Sequence, residues 1–91
     1  MSGKASIRLP AVLDLSAAAP LKASFEAVKG QDVEVDGADV ERMGGLCLQV
    51  LIAARMAWAS EGRDFSIVNP SAALTASIAL MGGATHLGLA A

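Results

Sequence analysis

LCLQVLIAARMAWASEG, Leu46 to Gly62, is the stretch whose reading decides the fold. Only Gln49, Arg55, Ser60 and Glu61 interrupt it, so as a helix it is apolar on nearly every side. At about 100° per residue, Leu46, Val50, Ala53, Ala54 and Ala57 fall on one side, while Leu48, Leu51, Ile52, Met56 and Ala59 surround Arg55 on the other. The first set is small and suits close packing on a sheet. With that side inward, the second, larger set faces water, and an exposed patch of this kind marks a contact surface. The competing orientation turns the helix and places the larger set in the core.

On either side of this helix the pattern changes to a period of two. Val33-Glu34-Val35-Asp36-Gly37 upstream and Asp64-Phe65-Ser66-Ile67-Val68 downstream alternate as strands, the valines inward. Ser6-Ile7-Arg8-Leu9 also alternates, Pro10 interrupts, and Ala11 to Leu15 resumes, which predicts an edge strand followed by a short extended piece. Ser16 and Pro20 open a helix to about Lys29, stopped by Gly30, with Leu21, Phe25 and Val28 on its buried face. Ala38 to Met43 is expected as loop, and Gly44-Gly45 begin the long helix, which ends at a terminal glycine, Gly62. Asn69 as N-cap with Pro70 at the first helical position starts a last helix through Leu74, Ile78 and Leu80, which stops at Gly82-Gly83; Leu87 and Leu89 trail beyond it. This order implies an α/β fold: one domain, 1–91, with a small mixed, mostly parallel sheet of about four strands and three helices. Crossovers are expected to be right-handed, and the N-terminal strand is free to run antiparallel at an edge.

Composition narrows the function. With a net charge of −2 and seven scattered basic residues, the chain assembles no phosphate-tracking stripe, and three aromatic residues make no base-stacking platform, so nucleic acid is not an expected partner. A single cysteine excludes an internal disulfide and a cysteine zinc cluster and fits a reducing cytoplasm. Met1-Ser2-Gly3-Lys4 lead into the first strand with no signal-peptide core, and no uncharged run reaches the roughly 20 residues of a membrane span, so a soluble cytoplasmic protein without membrane insertion is expected. Glu26, Asp32, Glu34, Asp36, Asp39 and Glu41 face Lys29 alone in their span; this is either a solvated surface or a site for a basic patch on a partner.

Candidate chemistry is sparse. Cys47, in the first turn of the long helix, offers either a thiolate lowered by the helix N-terminus, as in a thiol enzyme or redox sensor, or a small buried hydrophobe. His86 has no Cys or His partner at ligand spacing. Asp36, Asp39 and Glu41 lack a companion base or metal ligand, and Gly44-Gly45 present N–H groups to an anion without a lysine to join them. No catalytic residue, cofactor or metal is assigned.

Leu13-Asp14 with Ala19-Pro20-Leu21, the strand Val33–Asp36, the loop ending in Gly45-Leu46, the strand Phe65–Val68, Asn69-Pro70-Ser71 and Leu80-Met81-Gly82 follow one another in an order that resembles the STAS domain, the family of bacterial anti-sigma factor antagonists. The resemblance covers nearly the whole chain. It implies a non-enzymatic module that docks the loop 38–45 and the helix 44–61 onto a signalling kinase or ATPase: a switch kinase, a chemotaxis histidine kinase or the ATPase of a lipid transporter. Members regulated by phosphorylation carry Asp-Ser-Ser-Gly-Leu where this chain has Arg42-Met43-Gly44-Gly45-Leu46, so the phosphoacceptor position is Gly44 and no hydroxyl stands there. The expected partner-binding residues are Arg42, Met43, Gly44, Leu48, Ile52, Arg55 and Met56, with the Met43 thioether inserted into an apolar recess of the partner. A homodimer through the same helix is the alternative use of that face.

Overall fold

The structure, a computed structural model, describes residues 4–82; Met1 to Gly3, Gly83, His86, Leu87 and Leu89 lie outside the described residues. Its elements are β1 (Ala5–Arg8), β2 (Val12–Leu13), a 3-10 turn (Leu15–Ala17), α1 (Ala18–Ala27), β3 (Val33–Asp36), β4 (Arg42–Met43), α2 (Gly45–Ser60), β5 (Phe65–Val68) and α3 (Ala72–Leu80). The alternating segments form the central sheet in the order β1-β3-β5, and every pairing is parallel. The N-terminal strand is therefore at an edge, as expected, but not antiparallel: the chain passes through β2 and α1 before returning as β3, a connection long enough for a parallel return. The expected mixed sheet of about four strands is a parallel sheet of three plus a parallel pair, β2-β4.

Register explains the layers. Ala5, Val33 and Phe65 form one row across the sheet, and Ile7, Val35 and Ile67 the next row on the same face, whereas Ser6, Glu34 and Ser66 lie in the row between, on the opposite face. Val33 and Val35 are fully buried, while Ser6 and Arg8 are exposed and Glu34 and Asp36 half-buried, so among the described residues the valine face is the one sealed in the core. On that face the three aromatic side chains of the protein meet. Phe25 of α1 lies 5.9 Å from Trp58 of α2 and 5.8 Å from Phe65 of β5, and Trp58 and Phe65 are 6.3 Å apart. The Trp58 indole Nε1 donates a 2.6 Å hydrogen bond to the Gln31 carbonyl, which satisfies its polar edge inside the core.

Helix ends follow local chemistry with two shifts. After α2, Gly62 at φ +68° lets its own N–H reach the Ala59 carbonyl (3.1 Å) and the Arg63 N–H reach the Trp58 carbonyl (2.9 Å), the glycine stop expected there. Val28, expected on the buried face of α1, is half-buried at its C-cap. The N-cap of α3 is Ser71, not Asn69: the Ser71 Oγ accepts from the Leu74 N–H at 3.0 Å, while Asn69, at φ +49°, turns the chain two residues earlier. The same Oγ donates to the Val40 carbonyl at 2.6 Å and the Ser71 N–H donates to the Gly37 carbonyl at 3.0 Å, which binds α3 to the loop after β3.

Gly37 is buried where this junction leaves no room for a side chain: a Cβ there would overlap Leu74 Cδ2 and lie 3.4 Å from Pro70 Cα. Gly37→Ala is expected to lower unfolding free energy by about 1–3 kcal/mol through overpacking, measured as a fall in the urea midpoint at constant slope. An unchanged midpoint contradicts the packing described.

Candidate interaction surface

The loop 38–44 is tied down from both sides. The N–H groups of Glu41 and Arg42 donate to the Ala11 carbonyl (2.7 and 3.2 Å), and the Gly44 N–H donates to the Leu13 carbonyl at 2.9 Å. These bonds make Arg42–Met43 a strand where the sequence reads as loop; a two-residue pairing has no periodicity of its own and exists because β2 lies beside it. Pairing also imposes alternation. Arg42 points to solvent and Met43 into the core, 8% exposed. The expectation that the Met43 thioether stands outward is therefore corrected: it fills this protein's own interior.

A second correction concerns α2. Cys47, Leu48, Leu51, Ala54 and Trp58 are buried, so the helix is turned relative to the orientation expected, with much of the larger set inward. Leu48, expected at a partner surface, is 5% exposed. Leu46, Ala53 and Ala57, from the set expected inward, are exposed and Val50 is half-buried. Of the larger set, Met56 remains 64% exposed, Ala59 is exposed, and Ile52 and Arg55 are half-buried. The residues expected at the partner surface thus divide: Arg42, Gly44, Ile52, Arg55 and Met56 retain outward surface, while Met43 and Leu48 pack beneath them.

The structure adds two outward residues near the start of α2. Leu46 is 45% and Leu15, in the 3-10 turn packed against α2, 77% exposed. The Asp14 carboxylate caps that turn, accepting from the Ser16 N–H (3.1 Å) and Oγ (2.7 Å), and Asp14-Ser16 is the local signal for the turn that carries Leu15. Arg42, Gly44, Gly45, Leu46 and Leu15 thus crowd one end of the molecule, with Gly44 as the α2 N-cap, which carries no capping side chain.

Electrostatics argue against the alternative chemistry. The Cys47 thiol donates to the Asp14 carbonyl at 3.3 Å, and burial, with the Asp14 charge beside it, pushes its pKa up, the reverse of what a reactive thiolate needs. The Ser16 hydroxyl bond holds the Asp14 carboxyl below its ordinary range, helped by backbone N–H groups and the charge of Arg42. The acidic segment is largely engaged: Asp32 accepts from the Asp64 N–H (2.9 Å), Asp36 from the Ala38 N–H (2.9 Å), Glu34 lies 3.8 Å from Lys4, and Asp39 pairs with the Arg8 Nε at 2.7 Å. That pairing raises the Arg8 pKa.

A family model described as "Mlab, STAS domain" matches residues 2–89. Comparison with curated proteins finds no match, and comparison with solved structures finds none. Among the described residues, no helix is long and apolar enough to cross a membrane.

Two measurements check these environments. Cys47 is expected to resist alkylation in the native protein near pH 8 and to react fully on unfolding; rapid native labelling contradicts its burial. Because the Asp14 pKa is lowered by folding, its stabilisation is present above the ordinary carboxylate range and lost as pH falls through the lower, folded value. The stability difference between wild type and Asp14→Asn is therefore expected to shrink on acidification, and a constant difference contradicts the Ser16 bond.

Proposed function

The chain belongs to the STAS domain family, and on that premise we propose that it is a non-enzymatic regulatory module that docks on a signalling kinase or ATPase through the end of the molecule where Gly44 caps α2. Regulatory protein interaction is the general role of the family. The narrower reading is supported by one observation above the rest: beside the loop 38–44, which is hydrogen-bonded to residues 11 and 13, two apolar side chains stand outward, Leu46 in the first turn of α2 and Leu15 in the 3-10 turn. The docking face runs from Arg42 and Gly44 across Leu46 to Ile52, Arg55 and Met56, and it acts in the cytoplasm. Met43 and Leu48 contribute by holding that face in place from below.

Gly44 occupies the position at which phosphorylated members carry serine. A glycine offers no oxygen for phosphoryl transfer, so this loop keeps its surface without the double negative charge that would repel a partner. Interaction is therefore constitutive at this position.

Gly44→Asp separates docking from folding. The carboxylate supplies the missing N-cap, so stability is expected to hold or rise by about a few tenths of a kcal/mol, while a charge enters the centre of the face. With the kinase or ATPase that copurifies from the source organism, identified by mass spectrometry, titration calorimetry is expected to show Gly44→Asp and Met56→Glu each weakening binding by about tenfold or more at unchanged thermal midpoint. Unaltered affinity in both variants contradicts the reading, as does a wild-type chain that is a stable dimer at nanomolar concentration.

A further inference from the structure

The two edges of the central sheet differ. The Ala5 N–H donates to the Asp32 carbonyl (2.8 Å) and the Leu9 N–H to the Asp36 carbonyl (2.9 Å), so Ala5 and Ile7 turn their main-chain groups to β3, and Ser6 and Arg8 turn theirs outward. That edge is guarded. Lys4 and Arg8, both exposed, flank it, and Pro10 just beyond has no N–H to offer. At the other edge the Val33 N–H donates to the Asp64 carbonyl (2.9 Å) and the Gly37 N–H to the Val68 carbonyl (3.0 Å), so Ser66 and Val68 face β3, and Phe65 and Ile67 turn N–H and C=O away from the sheet. Among the described residues no main-chain group meets them there. β5 carries no charged residue and no proline, and its side chains are half-buried. An unguarded edge of this kind is a template for another strand.

The sequence of β5 selects that strand. Antiparallel pairing of β5 with itself about a two-fold axis at Ser66 sets Phe65 of each copy against Ile67 of the other. Both residues direct their main chain outward, so every free N–H and C=O of the two strands finds a partner. Other axes lose bonds: an axis at Phe65 sets Ile67 against Arg63, whose N–H is already taken by the Trp58 carbonyl, and an axis at Ile67 sets Phe65 against Asn69, where a φ of +49° ends the strand. Side chains agree with the Ser66 register. On the apolar face an aromatic ring meets a β-branched side chain twice, a favourable cross-strand pair; on the other face Ser66 meets its own copy and Asp64 meets Val68, so no charge faces its like. Pairing with β1 of another copy would instead bring Lys4, Arg8 and Pro10 into the contact and leave an open edge at each end, a chain of molecules and not a closed pair.

We infer that β5 is a self-association edge, through which two copies of this chain join their sheets antiparallel about a two-fold axis at Ser66. No residue of β5 belongs to the docking face, so the inference does not depend on the docking proposal. A strand of 4 residues is far smaller than the roughly 20–30 residues a side of a standard interface, so the pair forms at micromolar concentration and separates at nanomolar.

Sedimentation velocity of the full chain from about 1 μM to about 500 μM is expected to show a reversible equilibrium between monomer and dimer. Ser66→Glu sets carboxylates against each other across the axis, beside Glu34 of each copy, and should weaken association by about tenfold or more while the dilute protein stays folded by circular dichroism. Ser66→Cys should cross-link into a dimer on mild oxidation, because opposed residues of a non-hydrogen-bonded antiparallel pair have Cα atoms about 4.5 Å apart, within reach of a disulfide. Ser6→Cys, in the same row at the guarded edge, should stay monomeric, and buried Cys47 should stay reduced in both variants. A wild-type chain that remains monomeric over the whole range overturns the inference. So does a dimer that Ser66→Glu leaves intact, or one that position 66 does not cross-link, since either places the contact elsewhere on the molecule.

Discussion

Everything outward on this protein depends on how Trp58 seats α2. The indole is enclosed by Phe25 and Phe65, and its N–H reaches the Gln31 carbonyl at 2.6 Å. A buried indole N–H without an acceptor costs about 1–3 kcal/mol, so rotation of α2 that broke this bond would be opposed by more than lost packing. Cys47 at the other end of the buried arc is held against the Asp14 carbonyl. Between these anchors Leu48, Leu51 and Ala54 face the core, and Leu46, Ala53, Met56 and Ala57 have nowhere to point but solvent. The proposed docking face is a consequence of that rotation.

The strands were legible because one side of the sheet is covered and the other wet. Val33 and Val35 against Glu34 and Asp36 carry that difference in the amino acids themselves, so a period of two places them without knowledge of their neighbours. The α/β order, the glycine stop at Gly62 and the buried positions Leu21 and Phe25 follow from equally local physics. The rotation of α2 was not legible in the same way. A helix apolar almost all round has no preferred face in its own sequence, and small residues suit a sheet as well as they suit a groove. Two tertiary contacts, at Trp58 and Cys47, break the tie in favour of the larger residues.

The candidate site shows the same division. Gly44 stands at the helix start as the order of residues indicates, but Met43 changes from a projecting residue to a core residue because β2 pairs with it, and a pairing of two residues leaves no trace in either strand alone. Asn69 and Ser71 are both good caps by type. Ser71 takes the position because its hydroxyl meets the Val40 carbonyl and the Leu74 N–H together, a choice that depends on where α3 meets the loop after β3.

The rotation of α2 can be measured residue by residue. Single cysteines introduced at Leu46, Leu48, Leu51 and Met56, with buried Cys47 as the internal protected thiol, would be alkylated in the native protein and compared with the same variants in denaturant. The account predicts labelling at Leu46 and Met56 at rates near those of the unfolded chain, and protection at Leu48 and Leu51. Protection at Leu46 and Met56 with rapid labelling at Leu48 and Leu51 would contradict it, and the docking face would be lost.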